Sequence, residues 1–176
     1  MHPQPSVEEV IVSYTSTVYS VALTHTASRA DADDVFQEVF SAYWRCNPDF
    51  TDEEHRKAWL IRTTLNFCLK TTQSSWATKT VFAGDEVAGA LVKDAMDTEM
   101  PSTNFPFQTE QQVALYEALR HLSTAHRTVV QLFYFEDMSL AQIAEVLNEE
   151  QGAVKTRLSR ARTQLREKLK EGSNNV

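Results

Sequence analysis

Residues 139–170, "SLAQIAEVLNEEQGAVKTRLSRARTQLREKLK", decide the fold. Ser139 stands where a helix N-cap belongs, and Leu140, Ile143, Ala144 and Leu147 follow at helical spacing, which predicts a short amphipathic helix. The polar triplet Asn148-Glu149-Glu150 interrupts that pattern before a second, basic helix begins, in the length and order of a helix-turn-helix. Advancing about 100° per residue puts Val154, Leu158, Ala161 and Leu165 on one narrow stripe that must face a core. The opposite face then presents Thr156, Ser159, Arg160 and Thr163. Lys155, Arg162 and Arg166 line one flank, Arg157 and Lys168 the other.

Small hydrogen-bonding side chains between cationic margins suit a major groove, where Arg160 can pair bidentately with guanine and the flanks can meet phosphates. The alternative reading of the same residues is a solvated amphipathic helix whose charges aid solubility. Glu149 and Glu150 count slightly against DNA contact, because carboxylates near phosphates are repelled.

The basic helix belongs to an acidic chain of 176 residues with net charge -7. Residues 155–170 carry seven positive side chains against Glu167, whereas residues 81–112 carry one basic and six acidic. A local cation on an acidic protein is the electrostatic footprint of phosphate contact confined to one surface. Apolar residues make up 42% of the chain, enough to bury cores, and only 4 Gly and 5 Pro leave little punctuation for sheets, so the expected class is all-α. No run approaches the roughly 18 to 20 apolar residues of a membrane span, and the polar start lacks a signal-peptide core; a cytoplasmic protein with no direct membrane insertion is expected. Cys46 and Cys68 lack metal-ligand or disulfide spacing and read as small apolar residues, so neither a metal nor a cofactor is expected.

Earlier in the chain, Ser6 and Glu9 form a capping-box pattern ahead of Val7, Val10, Ile11, Tyr14, Val18, Val21 and Ala22, predicting a helix over about 7–24. A second helix is expected with Asp31 as N-cap, an apolar stripe at Val35, Phe36, Val39, Phe40 and Tyr43, and a stop at Asn47-Pro48. A third, over about 52–71, carries Ala58, Ile61, Leu65, Cys68 and Leu69 on one face and Trp59, Arg62, Thr63, Asn66 and Lys70 on another. An aromatic ring beside cations can stack on unpaired bases, although Trp59 can equally pack inside the bundle. Periodicity fails between about 74 and 108, apart from a short helical pattern in "DEVAGALVKDAM", and returns at about 110. The expected architecture is a three- to four-helix bundle (1–73), an acidic linker (74–109) and a helix-turn-helix domain (110–176).

In order and spacing, "RADADDVFQEVFSAYW", "HRKAWLIRTTLNFCLK" and "LRHLSTAHRTVVQLFYFEDMSLAQIAEVLNEEQGAVKTRLSRARTQL" resemble the two domains of extracytoplasmic-function (ECF) sigma factors of bacterial RNA polymerase, within the sigma-seventy family. The resemblance covers about residues 7–73 and 110–170. It implies a non-enzymatic initiation factor that binds core polymerase through the clamp helices of the largest subunit and through the flap, and that recognises promoter DNA. By position, Asp34, Gln37 and Glu38 fall on the family's clamp-helix surface. Trp59, Arg62, Asn66 and Lys70 fall on the segment that captures the melted minus-10 element. Lys155, Thr156, Ser159 and Arg160 fall near minus-35 bases, and Arg157 and Arg162 near phosphates. The linker would thread the polymerase cleft, and an anti-sigma factor is an implied partner that could hold the protein at a membrane.

Two departures stand out. The usual run of Arg and Lys after the equivalent of Asn66 is reduced to Lys70 and Lys79, and the usually apolar turn position holds Glu149. Two other function classes set limits on this reading. An ordinary helix-turn-helix regulator would bind duplex DNA without polymerase. An enzyme would need a nucleophile-base constellation or phosphate loop, whereas His2, His25, His55, His121 and His126 are scattered.

Overall fold

The computed structural model describes residues 3–76 and 110–173, and every regular element among them is helical. The chain divides into two compact units, Met1–Val81 and Phe82–Val176. The segment read as a linker lies almost wholly outside the described residues, as does the short helix expected at 85–96.

The first unit is a bundle of α1 (Val7–His25), α2 (Arg29–Cys46) and α3 (Glu53–Trp76), with each helix packed on both others. Both halves of the predicted capping box form at the start of α1: Ser6 Oγ accepts the Glu9 N–H at 3.2 Å, and Glu9 accepts the Ser6 N–H at 2.8 Å. α2 starts earlier than expected. Ser28, not Asp31, is the N-cap, its hydroxyl accepting the Asp31 N–H at 3.1 Å; Asp31 sits in the first turn, where the helix dipole favours its charge. Asn47 ends α2 in the left-handed conformation (φ 40°, ψ 55°), and Pro48 prevents continuation. Asp52 then caps α3 by accepting the His55 N–H at 2.9 Å, and this bond, with one from the His55 ring, holds the Asp52 carboxyl below its ordinary range.

Val10, Val18, Ala22, Ala32, Val35, Val39, Phe40, Tyr43, Leu60 and Cys68 form the core of this unit. The buried face of α3 is rotated from the one periodicity suggested: Leu60, Ile61 and Thr64 are completely buried, whereas Leu69, expected on the apolar stripe, is 59% exposed. Thr64 is tolerated there because its hydroxyl donates to the Leu60 carbonyl at 2.6 Å, and the neighbouring Leu60 takes the core position. Burial pushes the Cys68 thiol up to about 12, consistent with a packed, unreactive side chain.

The second unit contains α4 (Glu110–Arg120), α5 (Thr124–Val130), a π-helical continuation Gln131–Phe135, α6 (Leu140–Leu147) and α7 (Gln151–Ser173). Val129, Val130, Leu132, Phe133 and Phe135 read from the sequence as one helix, but the backbone widens at Gln131, where the Glu136 N–H donates to the Gln131 carbonyl at 3.2 Å. Arg127, which nothing in the pattern singles out, is buried and donates to the carbonyls of Leu119 (3.2 Å), Arg120 (3.3 Å) and Leu122 (3.0 Å). Its guanidinium thereby satisfies the open C-terminal end of α4 and ties it to α5.

Candidate nucleic-acid interface

α6 and α7 form the helix-turn-helix from local instructions. Ser139 and Gln142 make a reciprocal capping box, with the Gln142 N–H on Ser139 Oγ at 3.1 Å and the Ser139 N–H on Gln142 Oε1 at 2.8 Å. Asn148 closes α6 in the left-handed conformation (φ 54°, ψ 48°), which reverses the chain within the predicted turn. Ile143, Ala144 and Val146 from α6 and Val154, Leu158 and Ala161 from α7 are buried; Leu165 is partly so.

With that stripe inward, Thr156, Ser159, Arg160 and Thr163 are all exposed, as is Lys155. Thr163 turns its hydroxyl back to the Ser159 carbonyl at 3.2 Å, while Arg160 projects into solvent. The two cationic margins are held differently. Arg157 Nη1 lies 2.7 Å from Glu149 Oε2, a pair that spacing along the sequence does not reveal. Arg162 lies over the rings of Phe133 and Tyr134, both in the π-helical continuation, 5.4 Å from each centroid. His126 Nδ1 meets Gln164 Oε1 at 2.8 Å, a packing contact that gives this histidine a structural use.

Behind α7 lies an open groove of about 740 Å³ whose apolar lining includes Leu115, Val130, Leu165 and Leu169, with Arg162 and Arg166 at its edge.

On α3 the expected strand-capturing residues separate. Arg62, Asn66 and Lys70 are exposed, and the Lys70 ammonium sits 5.3 Å above the Phe67 ring. Trp59 is half-buried, edge-on to Tyr43 (5.7 Å) and Phe50 (6.2 Å), so it is both a surface ring and part of the bundle. Arg56 touches the same two rings: it is 3% exposed and is held by the Tyr43 hydroxyl at 3.3 Å, by Gln4 Oε1 at 2.6 Å and by a contact with Glu53, and its guanidinium lies over Phe50. This network fixes the loop and ring against which Trp59 rests.

Asp34, Gln37 and Glu38 are exposed together on α2. Trp44, at the C-terminal end of the same helix, is 69% exposed. A helical plot of the core stripe leaves it at the margin, so periodicity gave no reason to single it out.

Residues 10–78 match the family model "Sigma-70 region 2" and residues 112–165 match "Sigma-70, region 4". The chain is 24% identical over 171 residues to the ECF RNA polymerase sigma factor SigW of Bacillus subtilis, covering 96% of this chain and 91% of the relative. It is 29% identical over 160 residues to the ECF RNA polymerase sigma factor SigL of Mycobacterium tuberculosis, covering 90% and 85%. The fold resembles that of the sigma factor RpoE solved with the anti-sigma factor NepR from Bartonella quintana, with TM-score 0.68, 21% identity and coverage of 93% and 96%. It also resembles CnrH solved with the cytosolic domain of CnrY, with TM-score 0.63, 23% identity and coverage of 94% and 88%.

Proposed function

This chain belongs to the sigma-70 family, as an RNA polymerase sigma factor of the ECF type that directs promoter-specific initiation and has no catalysis of its own, and on that premise we propose a division of labour among three helix faces. The exposed carboxylates and amide of α2 (Asp34, Gln37 and Glu38) bind the clamp helices of the polymerase largest subunit. Their acidity would steer a basic partner, and exposed side chains cost little to desolvate at the rim of an interface. The α3 surface of Trp59, Arg62, Asn66 and Lys70 holds the unpaired minus-10 strand, with the ring stacking on a base and the cations following the backbone. The outward face of α7 reads the minus-35 element: Arg160, Thr156, Ser159 and Lys155 approach bases, while Arg157 and Arg162 approach phosphates.

The observation that carries this reading is the clean split of α7, with Val154, Leu158 and Ala161 at 3% exposure or less and a bare polar face opposite, in a chain that matches both sigma regions in order. Residues 1–73 would form the core-binding and minus-10 domain, residues 110–176 the minus-35 domain, and the acidic residues 74–109 the connection threading the cleft. The apolar groove behind α7 suits the polymerase flap. No helix among the described residues is long and apolar enough to cross a membrane. The solved complexes of similar chains with NepR and with the cytosolic domain of CnrY support a separate anti-sigma partner, and the cytosolic domain of CnrY supports a cytoplasmic protein that such a partner could hold at a membrane.

Mixing the purified chain with sigma-free core polymerase tests the proposal. Co-elution and promoter-dependent run-off transcription are expected, with Glu38→Lys lowering co-elution while leaving duplex binding by α7 intact. Duplex binding without polymerase association would support an ordinary regulator instead.

A further inference from the structure

The turn before α7 places a carboxylate on one of that helix's own cations. Glu149 Oε2 and Arg157 Nη1 are 2.7 Å apart, and their side chains are 34% and 26% exposed. The pair is therefore partly withdrawn from solvent, which weakens screening relative to a fully exposed ion pair. On the other margin Arg162 rests on two aromatic rings, which leave its net charge in place. At rest the two margins of α7 are unequal: Arg162 presents its cation, and Arg157 is paired with a carboxylate.

We propose that Glu149 is an affinity-limiting residue that holds Arg157 back from DNA, so that duplex binding by α7 depends on contacts supplied elsewhere in the polymerase complex. The inference rests on the reading of α7 as the duplex-binding helix. To reach a phosphate, Arg157 must leave Glu149, and the freed carboxylate then faces the polyanion. The counterions released by one phosphate contact are offset by the loss of the pair and by this new repulsion. The penalty is the same for any sequence, so it lowers affinity for bulk DNA and promoter DNA alike and leaves base discrimination to Arg160. Glu149 stands where the family resemblance leads one to expect an apolar turn residue, so the brake is a property of this chain's own sequence.

The experiment measures the affinity of the full chain for a random-sequence duplex at several salt concentrations. Glu149→Gln should tighten binding about two- to fivefold, the range of a partly exposed ion pair. It should also steepen the logarithmic salt dependence by about 0.9, as expected when one more phosphate is neutralised by the protein. Glu150→Gln removes the same charge from the adjacent, exposed residue and should tighten binding less, with no change in slope. In an Arg157→Ala background, Glu149→Gln and Glu150→Gln should become equivalent, and circular dichroism should show every variant folded. Equal effects of the two Glu→Gln changes in the parent chain, or a Glu149→Gln effect that still exceeds that of Glu150→Gln without Arg157, would overturn the brake. If Arg157→Ala weakens binding but Glu149→Gln changes nothing, the brake alone fails; if Arg157→Ala changes nothing, the duplex-binding role of that flank fails with it.

Discussion

On α7 the core and the surface proposed to meet DNA share no side chain. Val154, Leu158 and Ala161 are 0–3% exposed, and Thr156, Ser159 and Arg160 are exposed on the opposite side. On α3 the two duties overlap: Trp59 leans on Tyr43 and Phe50, the buried Arg56 contacts both of those residues, and of the proposed strand-capturing set only Arg62, Asn66 and Lys70 lie outside the core. On the proposed division of labour, the difference follows from what each helix would meet. A rod entering the major groove needs one uncluttered face, whereas a ring that receives an unpaired base gains from being fixed in advance, because an ordered platform loses less entropy on binding.

The largest effects should come from the core side of each helix. Leu158→Ala in α7 and Leu60→Ala in α3 should each cost about 2–5 kcal/mol of stability in chemical denaturation, because each empties a fully packed position. Thr156→Ala should stay within about 0.5 kcal/mol, as expected for an exposed residue, but should weaken promoter binding. A large stability loss from Thr156→Ala would break the clean division assigned to α7.

Arg56→Ala comes next. It removes a nearly buried donor to Tyr43 and Gln4, which should cost about 1.5–3 kcal/mol in denaturant titration. If the overlap on α3 is real, the same change should also reduce capture of single-stranded minus-10 DNA by the holoenzyme, although the buried Arg56 is given no DNA contact of its own. Stability lost with strand capture untouched would separate the two duties again.

On the outward side of α7, Arg160→Ala should cost about 1–3 kcal/mol of discrimination between promoter and random duplex, read by competition binding, whereas Arg157→Ala should weaken both duplexes about equally. The effect least visible at neutral pH concerns Cys68, whose thiol is pushed from 9.0 to about 12 by burial. Because the folded value lies above the unfolded one, its contribution to stability is fully present below pH 9.0 and is lost as pH rises toward about 12. Cys68→Ala should remove that alkaline component of the stability profile, and a thiol reagent at neutral pH should modify the exposed Cys46 well before Cys68.

The sequence made the helices and the α7 face legible for one physical reason: capping chemistry and a period near 3.6 are local, and Ser6, Ser139 and the Val154–Leu158–Ala161 stripe each act within a turn or two of chain. What stayed hidden depends on which neighbour arrives. Ser28 outcompetes Asp31 as a cap by only three positions, and both are residue types that favour caps. Leu69 fits the stripe by spacing but is left outside because Leu60, Ile61 and Thr64 turn inward against the bundle. Arg157 with Glu149, Arg162 on Phe133 and Tyr134, and Arg127 on the end of α4 are all long side chains whose partners are set by tertiary packing, so spacing alone could name the cations without showing what restrains them.

The most direct test compares promoter complexes of the reconstituted holoenzyme on a fully duplex promoter and on one whose minus-10 segment is already unpaired, for Trp59→Ala and Arg160→Ala. The division of labour predicts that opening the template in advance recovers much of the Trp59→Ala defect and none of the Arg160→Ala defect. Equal recovery of both, or of neither, would contradict it.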